Sequence, residues 1–177
     1  MQVDETSEPK DGATRVAADS KGPRARFEDI EIGRVLGEMD WVVTEDMIDT
    51  QCAIDADYDV WYSLRSQWNG RIAPPQISYR PPRWLLSRTY NVRGLFYRWE
   101  MENVRPIRPG VTLHVVARVC DKYVKNEREF IVYEAVATDP HNDVVFRTRR
   151  THVLDFVERS ARRAGEGIDS GIKAERI

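Results

Sequence analysis

The sequence lacks the features that mark several common classes of protein. It contains only two cysteines, Cys52 and Cys120, and three histidines in 177 residues, with no Cys-x-x-Cys pair. We therefore expect neither a disulfide framework nor a zinc site, nor any other bound metal. No run of about 18 apolar residues is present, and the N-terminus has no apolar stretch of the kind found in signal peptides. These absences predict a soluble, cytoplasmic protein.

Neither positive nor negative charge is in large excess. The 27 basic and 29 acidic residues leave a formal net charge of -2. Such a chain has no overall field to attract nucleic acid or an anionic membrane, so we expect neither as a partner. Its length suits one domain with one core.

Large apolar side chains are scarce at both ends of the sequence. Residues 1–25 are rich in charged and small side chains, which predicts a mobile N-terminal tail. Residues 158–177 have a similar composition and are predicted to form a polar C-terminal tail. The folded domain is therefore expected over residues 26–157.

The first half of this domain predicts one short strand and two helices. The strand is expected at 39–43, and Thr44 is a suitable N-cap for the helix that follows. A second, buried helix is predicted within 75–90, on the basis of Trp84, Leu85 and Leu86. Because Pro81 and Pro82 fall inside it, this helix must either begin there or be kinked.

From Leu95 onward, apolar and polar residues alternate with a period of two. Strands are predicted to begin at Leu95, Val111, Phe130 and Val144, separated by polar or Pro-Gly turns, with Leu113, Val115, Ala117 and Val119 on one face. Four such strands in a meander indicate an α+β domain with a long antiparallel sheet. Wrapping this sheet around the buried helix gives the hot-dog fold. Its exposed edges and face predict pairing with a second copy.

Short segments spread over the domain resemble the MaoC-like dehydratases and hydratases. They are Phe27-Glu28-Asp29-Ile30-Glu31-Ile32-Gly33, Thr44-Glu45-Asp46-Met47-Ile48, Gly70-Arg71-Ile72-Ala73-Pro74-Pro75, Val104-Arg105-Pro106-Ile107-Arg108-Pro109-Gly110, Asp121-Lys122-Tyr123-Val124-Lys125 and Thr151-His152-Val153-Leu154. The resemblance implies an acyl thioester of coenzyme A or acyl carrier protein as substrate, and no separate cofactor. Members add water to the α,β double bond, or remove it, with an aspartate and a histidine five residues later.

The resemblance places Asp57 on the catalytic aspartate, Asp59 on a later asparagine and Tyr62 on the histidine. A phenol has a pKa near 10, against about 6.5 for imidazole, so Tyr62 is expected to donate a proton or hydrogen bond rather than act as a base. Another register puts Asp55 on the aspartate and Val60 on the histidine. We favour the first, because Ala56 then takes the place of a small glycine.

The same resemblance gives a set of expected substrate contacts. They are Asp59, Trp61, Trp68, Gly70, Ile72, Ala73, Pro74, Pro75 and Gln76, with backbone amides near Ala73 to Gln76 holding the thioester oxygen. Phosphates of the carrier would meet Lys122, Lys125, Arg147 and Arg149, together with Arg150.

Each assignment has a structural alternative. The three aspartates can be solvated or cap helices, and they lack the later glycine and glutamate of an EF-hand. Trp61 and Tyr62 can be packing residues, and the basic residues can form a solvated face. His114 and His152 are expected on strands, and either could supply the missing base if it faced the cleft.

Three functions remain open. The first is a dehydratase or hydratase with an Asp57 and Tyr62 site. The second is a non-catalytic hot-dog subunit of a hetero-oligomer whose partner carries the intact aspartate and histidine. The third is a related reaction, such as thioester hydrolysis or polyketide tailoring.

Overall fold

The computed structural model describes residues 22–63, 69–92 and 94–154. Its strands are β1 (Val35–Val42), β2 (Phe96–Asn103), β3 (Thr112–Lys125), β4 (Arg128–Thr138) and β5 (Val144–Val153). Its helices are α1 (Glu45–Asp55), α2 (Val60–Ser63), a 3-10 helix (Pro75–Tyr79) and α3 (Arg80–Thr89). The strands form one antiparallel sheet in the order β1-β3-β4-β5-β2.

Helix α1 begins and ends as its sequence dictates. The Thr44 hydroxyl accepts the Met47 N–H at 3.2 Å, which confirms the predicted N-cap. Ile48 and Cys52 are buried on one face. The helix ends where Ala56 takes the left-handed conformation, with φ at 52°. This conformation turns the chain into the loop that carries the candidate site.

The central helix consists of two parts joined at Tyr79. Pro81 and Pro82 lie in the first turn of α3, where missing backbone N–H groups are tolerated, so α3 begins there and is not kinked. Leu85 and Leu86 are buried, and α3 packs against β1 and β3. This is the buried helix expected from the sequence.

The sheet confirms the strands but corrects their order. Leu113, Val115, Ala117 and Val119 are buried on one face of β3, as predicted. β2, however, pairs with β5 at the far edge and not with β3, so the four-strand meander was wrong for this strand. The place beside β3 is taken by β1, where Trp41 lies opposite Leu113. The segment after β2 crosses between the two edges, and Val104 and Arg105 both donate to the Val145 carbonyl oxygen.

The architecture is the predicted α+β hot-dog arrangement, a curved antiparallel sheet around one central helix. Ala25, which falls at the end of the predicted N-terminal tail, is buried and donates its N–H to the Asn91 carbonyl oxygen at 3.2 Å. The predicted C-terminal tail, and residues 155–157 before it, lie outside the described residues. Within the described part of the chain, no helix is long and apolar enough to cross a membrane.

Candidate functional site

The loop after α1 is shaped by its own aspartates. The Asp57 carboxylate accepts the Asp59 N–H at 3.3 Å, and the Asp59 carboxylate accepts the Trp61 N–H at 3.0 Å. The Asp59 carbonyl oxygen accepts the Tyr62 N–H at 2.9 Å. Asp59 therefore caps α2, and Asp57 holds the turn before it. These contacts give both residues a structural role, in which Asp57 is half-buried and Asp59 is exposed.

Arg71 fastens this loop to α1. Its guanidinium donates to the Tyr62 carbonyl oxygen, to Glu45 Oε2 at 2.5 Å and to Asp49 Oδ1. Both carboxylates lie on α1, so one side chain joins the first helix to the turn that carries Tyr62. Its side chain is only 18% exposed, which limits its freedom to leave these partners.

A cavity of about 420 Å³ opens beside Tyr62. One wall is formed by Trp61, Tyr62, Ile72, Ala73 and Pro75, and the other by residues 103–107. Two backbone hydrogen bonds hold the walls: Ile72 N–H donates to the Trp61 carbonyl oxygen, and Ala73 N–H donates to the Ile107 carbonyl oxygen. The lining is mostly apolar, with Asn103 and Arg105 as its other polar members. Such a site suits a ligand with an apolar body and few polar groups.

The structure brings together part of the predicted site. Trp61, Tyr62, Ile72, Ala73 and Pro75 line the cavity, whereas Asp57, Asp59, Gly70, Pro74 and Gln76 do not. Trp68 lies outside the described residues. The wall at 103–107 was missed as a site, although its Pro106 and the following Pro109-Gly110 indicated a non-strand segment after β2.

Tyr62 remains a protonated phenol over the physiological range. Partial burial raises the pKa of Tyr62 above its usual value near 10, and the charges of Asp57 and Asp59 raise this pKa further. The group can therefore donate a hydrogen bond into the cavity but has little tendency to lose its proton. The donor role expected from the sequence requires such a protonated phenol, and that role stays a prediction.

Few backbone amides are available at the start of the 3-10 helix. The Ala73 N–H is already bonded to Ile107 at 2.8 Å, and Pro74 and Pro75 have no N–H. Of the expected stretch from Ala73 to Gln76, only the Gln76 amide remains for a ligand. Fewer amides are therefore available for a thioester oxygen than we expected. Pro74 and Pro75 already indicated this in the sequence.

The predicted phosphate contacts lie away from the cavity. Lys122 Nζ donates to the Phe27 carbonyl oxygen at 2.9 Å, and Arg147 pairs with Glu102 at 3.3 Å. Arg149 stands opposite Glu100 and Glu134 in neighbouring strands. Lys125 ends β3, and none of these four residues lines the cavity. Arg150 points the other way and is fully buried.

The surface beside the first wall is acidic and partly apolar. Glu45, Asp46, Asp49, Asp55 and Asp59 are exposed on α1 and the following loop. Exposed apolar side chains share this surface, namely Ile54, Tyr58, Val60 and Trp61. Across the cavity, Arg105 pairs with Asp143 at 2.8 Å, which offsets its charge. A polyanionic ligand would therefore meet net negative charge on approach.

Neither candidate histidine supplies a base to the cavity. His152 is 3% exposed, and its Nε2 lies 3.3 Å from the Tyr133 hydroxyl. Burial, with the charges of Arg83 and Arg150, lowers the pKa of His152 to about 3. His114 lies on the outer face of the sheet between Glu38 and Asp40. Neither residue lines the cavity.

The remaining titratable groups form no metal centre in the described ranges. No group of three or more His, Cys, Asp or Glu residues is arranged there to hold an ion. Cys52 and Cys120 are free thiols, and burial raises the pKa of both. Both thiols are therefore poor nucleophiles at neutral pH.

Comparison with solved structures places the fold among known proteins. An (R)-hydratase, PhaJ1 from Pseudomonas aeruginosa, matches with a TM-score of 0.59 and 17% identity, covering 72% of this chain and 84% of the hydratase. A MaoC-like dehydratase from Rhodospirillum rubrum matches with a TM-score of 0.57 and 18% identity, covering 72% and 94%. The chain has the MaoC-like hot-dog fold.

A third match to the MaoC-like hot-dog fold is a complex. The HadBC (3R-hydroxyacyl-ACP dehydratase) complex from Mycobacterium tuberculosis matches with a TM-score of 0.62 and 10% identity, covering 69% of this chain and 96% of the matched chain. No protein-family model matches the sequence, and comparison with curated proteins gives no significant match. At such identities the likeness establishes the fold alone.

Proposed function

We propose that the protein binds an acyl thioester of coenzyme A or acyl carrier protein and interconverts its enoyl and 3-hydroxyacyl forms. The observation that carries this proposal is the apolar cavity walled by Tyr62, Ile72, Ala73 and Pro75. These residues belong to the two segments that resemble the active-site loop and the helix start of MaoC-like enzymes. The (R)-hydratase and dehydratase matches support the same reaction class.

Asp57 does not line the cavity, but its charge acts on Tyr62, which does. In the hydration direction, Asp57 takes a proton from a water at the edge of the cavity as the water oxygen bonds to the β-carbon. The electrons of the double bond move to the thioester oxygen, which becomes an enolate. The Tyr62 hydroxyl donates a hydrogen bond to this oxygen, and the N–H of Gln76, which follows the lining residue Pro75, is the second donor of the proposal. The proton held by Asp57 then passes to the α-carbon, which restores the carboxylate. Dehydration runs through the same steps in reverse.

A second chain could pair along β2. β2 forms one edge of the sheet, and Leu95, Phe96 and Tyr97 are exposed at its beginning. An open edge beside apolar side chains favours pairing with another strand. We propose a homodimer, or a pair with a second hot-dog chain, that works in the cytoplasm.

Turnover of the purified protein tests the proposal. Incubation with a trans-2-enoyl-CoA should give the 3-hydroxyacyl thioester, and Asp57→Asn and Tyr62→Phe should each lose most of this activity. Tyr58→Phe is a matched control, because Tyr58 is 72% exposed on the same loop. Asp55→Asn tests the other register. Free acid and thiol as products would indicate a thioesterase, and full activity in both site variants would refute the assignment.

The second candidate is a non-catalytic subunit of a hetero-oligomeric dehydratase. It is favoured by Tyr62 at the expected histidine position and by the match to the HadBC complex. A partner with an intact aspartate and histidine would then carry the reaction. Co-expression with such a partner separates the candidates, because activity of the complex would depend on the partner's pair and survive Tyr62→Phe.

A further inference from the structure

Arg150 is a fully buried cation with an unusual set of partners. Its Nη1 donates to the Tyr79 carbonyl oxygen at 2.6 Å, its Nη2 to the Ser78 carbonyl oxygen at 3.1 Å and its Nε to the Thr148 hydroxyl at 3.2 Å. The guanidinium also lies over the rings of Tyr79 and Trp99, at 4.8 and 5.2 Å. No carboxylate among the described residues pairs with it. Burying a charge without a counter-ion costs free energy, and the hydrogen bonds of Arg150 offset part of this cost.

Pro81 and Pro82 explain why Arg150 bonds to these carbonyl groups. In a helix the Ser78 carbonyl oxygen would accept from the N–H of residue 81 or residue 82, and both are prolines without an N–H. The Tyr79 carbonyl oxygen loses only the 3-10 donor at residue 82, because Tyr79 is the N-cap of α3 and can accept the N–H of Arg83. Ser78 is completely buried, so water cannot replace these donors. Arg150 supplies the donor that the two prolines remove from the Ser78 carbonyl oxygen, and it adds a second donor to the Tyr79 carbonyl oxygen.

This arrangement reaches the wall of the cavity. The Ser78 hydroxyl donates to the Pro75 carbonyl oxygen at 2.8 Å, and Pro75 lines the cavity. At a rise of about 2 Å per residue, the carbonyl groups held by Arg150 lie roughly one to two 3-10 turns from Pro75. On the other side, Thr148 accepts from Trp99 Nε1 at 2.8 Å and donates to the Glu100 carbonyl oxygen at 3.0 Å. Arg150 thus ties the 3-10 helix to β5 and β2.

We propose that Arg150 is a positioning residue that fixes the 3-10 helix Pro75–Tyr79, and with it the part of the cavity wall formed by Pro75. Its effect on turnover rests on the proposed function, whereas its effect on the helix does not. Arg150 acts through the Ser78 and Tyr79 carbonyl groups and does not touch the substrate.

Hydrogen exchange tests the effect on the helix. In Arg150→Met the amides of Ile77, Ser78, Tyr79, Arg80 and Arg83 should exchange about tenfold faster, the size expected when a buried carbonyl loses its donor. Amides of α1 should be unchanged, and Arg150→Lys should restore part of the protection. Arg118→Met is the matched control, because Arg118 is exposed on the outer face and pairs with Glu134. Equal exchange in the Arg150 and Arg118 variants would overturn the proposal.

A double-mutant cycle tests the link to the prolines. Pro82→Ala returns an N–H that can reach the Ser78 carbonyl oxygen, so Arg150→Met should accelerate exchange less in that background than in the wild type. An equal effect in both backgrounds would contradict the proposed role. The cycle requires no activity and stands even if the thioester reaction is absent.

Turnover separates positioning from simple stability. If the wild type is active, Arg150→Met should lower kcat about tenfold at a temperature where the variant is folded, with Arg150→Lys in between. Unchanged kcat beside faster helix exchange would overturn the positioning role. A wild type without turnover refutes the proposed function instead, and the exchange results then decide on Arg150.

Discussion

The backbone N–H of Ala73 donates to the carbonyl oxygen of Ile107 at 2.8 Å. This bond joins the two walls of the cavity and removes the Ala73 amide from the groups that could hold a ligand. Because Pro74 and Pro75 have no N–H, hydrogen bonding to a thioester oxygen depends on Gln76 and on the Tyr62 phenol.

Ionisation of Tyr62 should not appear in the pH dependence of turnover below about pH 10. Burial and the nearby Asp57 and Asp59 charges raise the pKa of Tyr62, so the phenol keeps its proton throughout the working range. Profiles of kcat against pH for the wild type and Tyr62→Phe should have the same shape, displaced to lower rates in the variant. An alkaline limb below pH 9 that disappears in Tyr62→Phe would contradict this role.

Ala56→Gly should stabilise the protein by about 0.5–1 kcal/mol. Ala56 occupies the left-handed region at φ 52°, which costs energy for any residue with a Cβ. Ala53→Gly is the control, because Ala53 is exposed inside α1 and should lose about 0.5–1 kcal/mol. Both values follow from urea unfolding. A destabilised Ala56→Gly variant would show that the turn is not strained.

Stability should fall as the pH drops below about 6.5, in part because of His152. The folded-state pKa is about 3, so the unfolded chain binds a proton between these values that the folded chain does not. The loss attributable to His152 should reach about 2 kcal/mol at pH 5. His152→Gln should flatten the profile, whereas His114→Gln, on the outer face, should leave this part unchanged. A profile unaltered by His152→Gln would contradict a neutral, buried imidazole.

The fold could be predicted further from the sequence than the site could. Local sequence signals were enough to predict α1, because its N-cap Thr44 and its buried residues Ile48 and Cys52 lie close together in the sequence. The position of β2 in the sheet depends on whether it pairs with β3 or with β5. Alternation of apolar and polar residues predicts a strand but not its partner. The wall at 103–107 comes from the same crossing, so it was missed for the same reason.

Arg150 illustrates the limit of interpreting charges by composition. Beside Arg147 and Arg149 it was expected on a basic face, yet alternation along β5 turns it into the core. Alternation along the strand would have predicted that Arg150 lies on the opposite face of the sheet from Arg147 and Arg149. Its partners could not have been foreseen, because they lie on the central helix more than 70 residues earlier.

The KM for a CoA thioester should fall as salt is added, by about two- to threefold between roughly 20 and 200 mM. Exposed carboxylates crowd α1 and the loop beside the cavity, and they repel the phosphates of coenzyme A until salt screens them. If Lys122, Lys125, Arg147 and Arg149 bind those phosphates, the KM should rise with salt instead. Steady-state kinetics at several salt concentrations distinguish the two signs.

The central claim is that the cavity between Tyr62 and Val104 holds the acyl thioester. Val104 lines this cavity and is 47% exposed, so an aspartate there should be tolerated by the fold. Calorimetric titration with a trans-2-enoyl-CoA should show binding to the wild type and at least about tenfold weaker binding to Val104→Asp. Val124→Asp, in an exposed position at the end of β3, should bind as the wild type does. Equal affinity in Val104→Asp and the wild type would contradict the account.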